Sequence, residues 1–405
     1  MVIKEVKSDS PGALGGYSLG ILLLALSLAL FGLMVQFSAG ISLSATNRTG
    51  AFYRQLAYLP IALLFGYAFY RINLDRAREW RHWILGGACV LMVCARVPGL
   101  GVSVNGSWRW IDLGLFRLQA SDLGKLALVL VLAHYLASMQ RHTLPGRFRA
   151  LQFSGRAPFV LNPAGWADCR EGFLRPLGVV VLIAGGIGLG PDVGTMLLCC
   201  AVGGAMMLVS GVRWRYVIPA FLLGLGAFAA LIINWPNRLR RITSFLEPWE
   251  KRGDEAYQLF EGMVAFGVGG LTGQGAANGL QARVYLPEAH TDFVFSVIGE
   301  EYGLVATAAV ALVYLGIFWC AFRAMRLSAD LYRFNVCLGA TLFLILQALI
   351  NMGVVTGLLP TKGISLPLIS YGGTNLVIMA CMVGLILNCI RVAGQPAFVA
   401  KEARA

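Results

Sequence analysis

Long, uninterrupted apolar runs separated by polar turns dominate the chain, most plainly at 19–37 and 336–350. A helix needs about 20 apolar residues to cross a bilayer. A membrane barrel would instead read as short segments alternating at every second residue. The pattern therefore predicts helices, near 17–38, 52–70, 82–96, 120–138, 175–190, 194–210, 214–233, 292–322, 333–355 and 367–391. The expected fold is an all-α integral membrane protein of about ten transmembrane helices, with a long extracytoplasmic loop, 234–291, before the eighth. A tail at 1–16 and another at 392–405 flank the membrane domain, 17–391. The first run is long enough to span and lacks a small-residue cleavage site, so it predicts a retained helix. The window 292–322 is too long for one straight span, and Gly299 and Gly303, around Glu300 and Glu301, mark a break or a lined cavity.

Composition agrees: 58% of residues are hydrophobic and 13% charged, against about 25% charged in a soluble domain. The net charge of +13 does not point to nucleic acid, because the charges sit in turns between apolar runs. There they set orientation, since cytoplasmic loops collect Lys and Arg. With a cytoplasmic N-terminus, 20 basic residues fall inside and 10 outside, and six of those ten lie in the long loop, where the rule is weakest. Both termini are therefore expected in the cytoplasm. No cysteine falls in an expected outer loop, so no disulfide framework is implied. The four histidines are scattered and no CxxC occurs.

A loop of nearly sixty residues without a domain of its own is a place to look for chemistry. It carries Gly267, Gly269, Gly270, Gly273 and Gly275, which serve either as a flexible tether or as a close approach of backbone to ligand. Asp292 stands where the loop re-enters an apolar helix. Thr291 or Asp292 can cap that helix, and Asp292 can equally act as a general base at the membrane surface, with Glu288 four residues earlier. Glu300 and Glu301 would lie about 12 Å deeper along a helix. There they line a cavity or pair with a basic group such as Lys125. Asp122 and Lys125, three apart, share a helix face and can neutralise each other. Arg109 between Trp108 and Trp110 suits a phosphate or a lipid headgroup. Asp192 reads as a helix cap. Lys362, on a short outer loop broken by Pro360 and Pro367, suits a pyrophosphate. Together these residues suggest a site for an anionic, amphipathic substrate reached from outside.

The ordered set of NGSWRWIDLG (105–114), QASDLGKLAL (119–128), PDVGT (191–195), GVGGLTGQG (267–275), LPEAHTDFVFSVIGEEYGL (286–304) and NMGVVTGLLPTKGISLPLISYGG (351–373) resembles the SEDS family of FtsW, RodA and SpoVE. The likeness runs from the first helix to about Arg391 and is nearer the FtsW branch. It implies an inverting peptidoglycan glycosyltransferase that polymerises lipid II on the outer face of the inner membrane, at the division septum. Asp292 corresponds to the family's essential aspartate, the base. Glu288, His290, Arg109, Lys125, Arg240, Arg241, Arg283, Lys362 and Ser370 become substrate contacts, with Glu300 and Asp122 as supporting carboxylates. The resemblance further implies assistance by a divalent cation, Mg2+ or Mn2+, although no cage of ligands is visible. It also implies a class B penicillin-binding protein and other divisome proteins as partners. The chain departs from the family pattern at Gly279, where a serine is usual. It departs also at Ala282-Arg283, where the basic residue is moved by one, at Gly190, at Ala120-Ser121-Asp122 and at Thr374-Asn375. Other readings of the same features are a lipid II flippase, a non-catalytic scaffold for a penicillin-binding protein, and a RodA-like role in elongation.

Overall fold

A computed structural model describes residues 11–42, 50–104, 107–112, 114, 117–143, 169–190, 192–234, 240, 243–245, 249–250, 256–281, 286, 289–328 and 330–393. The helices are α1 (Pro11–Ser42), α2 (Gly50–Arg71), the short α3 (Leu74–Glu79), α4 (Arg81–Cys94), α5 (Ala120–Thr143), α6 (Arg175–Gly188) and α7 (Val193–Val209). They continue with α8 (Trp214–Ile233), α9 (Tyr257–Gly269), α10 (Val294–Met325), α11 (Leu331–Val355) and α12 (Gly373–Ala393). Among the described residues, six segments are long and apolar enough to cross a membrane: those of α1, α5, α6 with the preceding π-turn, α10, α11 and α12. Shorter apolar helices at α4, α7 and α8, with the 22-residue α2, complete the expected set.

Three features differ from the expectation. The tenth helix begins at Gly373 rather than 367, because Pro367 and the turns around it hold residues 360–372 outside any helix. The long outer loop contains α9, whose 13 residues are too few to span. The outer segment between α4 and α5 forms a small antiparallel sheet, β1 (Gly101–Val104), β2 (Ser107–Asp112) and β3 (Arg117–Gln119), in the order β1-β2-β3.

The interior is built from α5, α11 and α12, whose side chains are buried along most of their length. Helices α2 and α12 approach closely through small residues. A Cβ placed on Gly384 would lie 2.2 Å from the Gly66 carbonyl oxygen, the packing that membrane helices use where water supplies no drive. At the periphery, α8 exposes Phe221, Leu222, Leu223 and Leu225, as a lipid-facing helix should.

Polar contacts gather at the two ends of the bundle. One end joins Asp75 to Arg333 at 2.8 Å, Asn388 to the carbonyls of Phe69 and Ile72, and Gln140 to Asn335. That end carries Arg71, Arg76, Arg78, Arg323 and Arg326, so it is cytoplasmic. The other end gathers Gln36, Gln55, Gln119, Asp192, His290, Asp292 and Asn351.

Helix α10 is broken at Gly303 (φ 75°, ψ −173°), as its length led us to expect. A break exposes backbone groups that must be paired elsewhere within a membrane. The outer glycine-rich segment pairs them. Gln274 and Gly275 donate to the Glu300 and Glu301 carbonyls at 2.9 Å, while Leu304 and Val305 donate to those of Gly270 and Leu271. A Cβ on Gly269 would sit 1.9 Å from the Gly299 oxygen, so this stretch is packed against α10. The tether reading is set aside.

Candidate active site

Asp292 lies at the outer end, half-buried, two residues ahead of α10. It is not the cap. The N-cap position is Phe293, which makes no side-chain capping bond. The carboxylate turns instead to the segment 360–372: its Oδ2 would meet a Cβ on Gly363 at 2.7 Å. Only a residue without a side chain gives the carboxylate that space.

The backbone around Asp292 is fixed from three helices. Asn351 Nδ2, near the outer end of α11, donates both to the Asp292 carbonyl at 2.8 Å and to the Ile364 carbonyl at 2.7 Å. Gln36 Nε2 of α1 and the Tyr371 amide each donate to the His290 carbonyl at 2.9 Å. Gln55 of α2 donates to the Ser370 carbonyl and accepts from the Gly372 amide, both at 3.3 Å. Three side-chain amides, one each from α1, α2 and α11, thus hold the re-entry turn and the 360–372 segment in register. Ile364, next to Gly363, packs over Gly194, where an added Cβ would lie 3.1 Å from its Cγ1.

Beside Gly194 stands Asp192, capping α7 through the Thr195 amide at 3.2 Å. Its other oxygen receives Ser121 at 3.1 Å and lies 3.5 Å from a guanidinium nitrogen of Arg109. Strand β2 presents Arg109, and β3 runs directly into α5 to place Gln119 and Ser121. The segment 360–372 therefore lies between two carboxylates, Asp192 with its arginine and Asp292. Lys362 directly precedes the glycine that Asp292 faces.

The remaining candidates divide. Lys125 is buried, pairs with Asp122 at 2.8 Å and donates to Gln347 Oε1 at 3.0 Å. Gln347 in turn donates to the Ser365 carbonyl and to Asn375. Lys125 and Asp122 consequently support the segment from beneath, a correction to Lys125 as a substrate contact. Ser370 is 1% exposed and its Oγ accepts from the Leu366 amide at 2.7 Å, so it closes a buried turn and its candidacy as a contact is withdrawn. The carboxylates of Glu300 and Glu301 do not pair with Lys125. Glu300 accepts from the Gln281 amide at 2.8 Å, and Glu301 accepts at 2.6 Å from Ser38 of α1, which itself accepts from the Ala277 amide. The His290 ring lies 5.7 Å from that of Tyr371. Arg240 is exposed on the segment between α8 and α9. Glu288, Arg241 and Arg283 lie outside the described residues.

Among the described residues, no group of three or more His, Cys, Asp or Glu side chains is placed to hold a metal ion. The described donor set therefore does not fit a protein cage for Mg2+ or Mn2+.

The "Cell cycle protein" family model for FtsW, RodA and SpoVE matches residues 18–394. The chain is 38% identical to the probable peptidoglycan glycosyltransferase FtsW of Thioalkalivibrio sulfidiphilus, over 92% of this chain and 89% of that one. It is 35% identical to FtsW of Escherichia coli O157:H7, over 92% and 85%. Its fold superposes on the Rod shape determining protein RodA of Thermus thermophilus with a TM-score of 0.64 at 24% identity, covering 93% of this chain and 97% of that chain. It also superposes on a chain from a peptidoglycan synthase complex whose structure concerns the coordination of polymerization and crosslinking, with a TM-score of 0.72 at 23% identity, over 92% and 97%. With a matched model over nearly its whole length and an outer site assembled from the same motifs, the chain belongs to the FtsW/RodA/SpoVE family.

Proposed function

We infer that the chain is a peptidoglycan glycosyltransferase that polymerises lipid II at the outer face of the inner membrane during septal wall synthesis. The relatives named FtsW, at 35–38% identity, favour the division branch over elongation. The observation that carries the mechanism is the placement of Asp292: a half-buried carboxylate at the outer end, with its backbone pinned and one oxygen against Gly363.

In this reading Asp292 takes the proton from the GlcNAc 4-hydroxyl of the acceptor. The oxygen attacks the anomeric carbon of the donor MurNAc from the face opposite the pyrophosphate, and the C–O bond to undecaprenyl pyrophosphate breaks with inversion. The electron pair leaves with the pyrophosphate, whose charge is stabilised by cationic groups already in place. Lys362 is assigned to that role, with Arg109 at the far side of the segment. Any divalent cation is placed on the substrate's pyrophosphate rather than in a protein cage, and no step is routed through it. A class B penicillin-binding protein supplies the crosslinking step.

The test is polymerisation of fluorescent lipid II by the purified protein with its transpeptidase partner, resolved on a gel. Wild type should make glycan chains, and Asp292→Asn should lose about 10²–10⁴-fold in rate, the worth of a general base, while the complex still forms. Unchanged polymer from Asp292→Asn would refute the base, and lipid scrambling in liposomes without polymer would favour a flippase.

A further inference from the structure

At the cytoplasmic end, opposite Asp292, α4, α5 and the π-turn Arg170–Leu174 ahead of α6 enclose a cavity of about 330 Å³. That is the size at which small-molecule pockets begin, about 300 Å³. Its walls include Arg81, His82, His134, Tyr135, Glu171 and Arg175. The one carboxylate there is already neutralised, since Glu171 pairs with Arg170 at 3.0 Å and with Arg175. Arg78 adds a further positive charge behind the wall, donating from Nε to His134 Nδ1 at 3.1 Å. Arg81 makes a long bond of 3.4 Å to the Arg78 carbonyl, while its Nε is buried with no hydrogen-bond partner among the described residues. A guanidinium left under-paired beside a cationic cavity favours an anion there.

Trp80 and Trp83 flank Arg81 and His82, and are 59% and 78% exposed. Exposed tryptophans on a spanning bundle sit at headgroup level. The inner leaflet at that level carries anionic lipid, which basic clusters attract. We propose that this cavity binds a phosphate group at the inner membrane surface, carried by the headgroup of an anionic lipid. Arg81 and Arg175 supply the charge, with His134 in the same wall.

The experiment is native mass spectrometry of the full-length protein in detergent, titrated with dioleoyl phosphatidylglycerol and, separately, with dioleoyl phosphatidylcholine. Wild type should retain phosphatidylglycerol in preference. Arg81→Gln and Arg175→Gln should each weaken that binding roughly fivefold, the worth of one basic residue at an anionic surface, and Arg81→Lys should restore most of the loss. Arg175 is half exposed, so its variant keeps the fold, and circular dichroism checks both. Equal retention of the two lipids by wild type, or equal phosphatidylglycerol binding by wild type and both variants, would overturn the proposal. Stabilisation by inorganic phosphate with no lipid preference would overturn the lipid and make a soluble phosphate the ligand.

Discussion

Gly363 decides how close the segment 360–372 can come to Asp292. In Gly363→Ala the new methyl would meet the carboxylate oxygen at 2.7 Å, and the exposed side of the site offers the carboxylate a way out. We expect stability to change little and polymerisation to fall at least about tenfold, since a displacement of the order of 1 Å at the reacting groups costs that much or more. Lipid II turnover and thermal denaturation measured on one preparation check this; equal loss of both would mean the segment itself collapses. Lys125 behaves oppositely. It is buried with Asp122, so Lys125→Met strands a carboxylate and should cost about 3–5 kcal/mol. Adding Asp122→Leu to Lys125→Met should recover much of that, because a buried pair replaced by apolar groups is often neutral. A double-mutant cycle in detergent melts reads the coupling directly.

Helix α10 shows what an element contributes beyond its residues. Its first three turns carry Glu300 and Glu301 and end at Gly303, whose φ of 75° and ψ of −173° are open to glycine alone. Gly303→Ala must straighten or crowd the break, with a Cβ 2.4 Å from the Leu271 oxygen. The four backbone bonds that hold the glycine-rich segment would then be lost or bent. The expected outcome is a loss of about 1–3 kcal/mol and faster hydrogen exchange across 270–281, with exchange at α12 unchanged; protection that stays equal in both places would refute the coupling. The break was legible in the sequence because a run of that length cannot cross straight. The Asp122–Lys125 pair and the Asp192 cap were legible because each is local, three residues apart. The sheet was missed although alternation at 102–104 and 107–111 around Asn105-Gly106 signals a hairpin; two tryptophans invited an interfacial reading first. The sequence leaves the glycines open between a tether and a close approach because their packing partner lies some thirty residues on. Gln36, Gln55 and Asn351 carry no spacing signal in the sequence, although polar groups at such depth are costly unless they have a structural or functional partner.

The whole molecule sorts its polar groups into two ends separated by an apolar band, and the functional reading requires Asp292 to face outward. In that reading the lipid-linked donor is used on the outer side, and a carboxylate on the inner side would meet neither the proposed acceptor nor the proposed penicillin-binding protein. Side is set by the excess of arginine around 71–81, 213–215 and 323–333 against the outer turns. The contacts then carry that assignment through the bundle, since Arg333–Asp75 and Asn388–Phe69 belong to the arginine-rich end and Asn351–Asp292 to the other. Two exposed tryptophans report the sides independently: Trp80 in the turn between α3 and α4, and Trp249 in the outer region between α8 and α9. In a background with the nine native cysteines replaced by serine or alanine, Trp249→Cys should react with a membrane-impermeant maleimide on intact spheroplasts. Trp80→Cys should react only after lysis. The reverse pattern would invert the molecule, put Asp292 in the cytosol and move the cationic cavity to the outer leaflet, so that the glycosyltransferase reading and the lipid-headgroup reading would fall together.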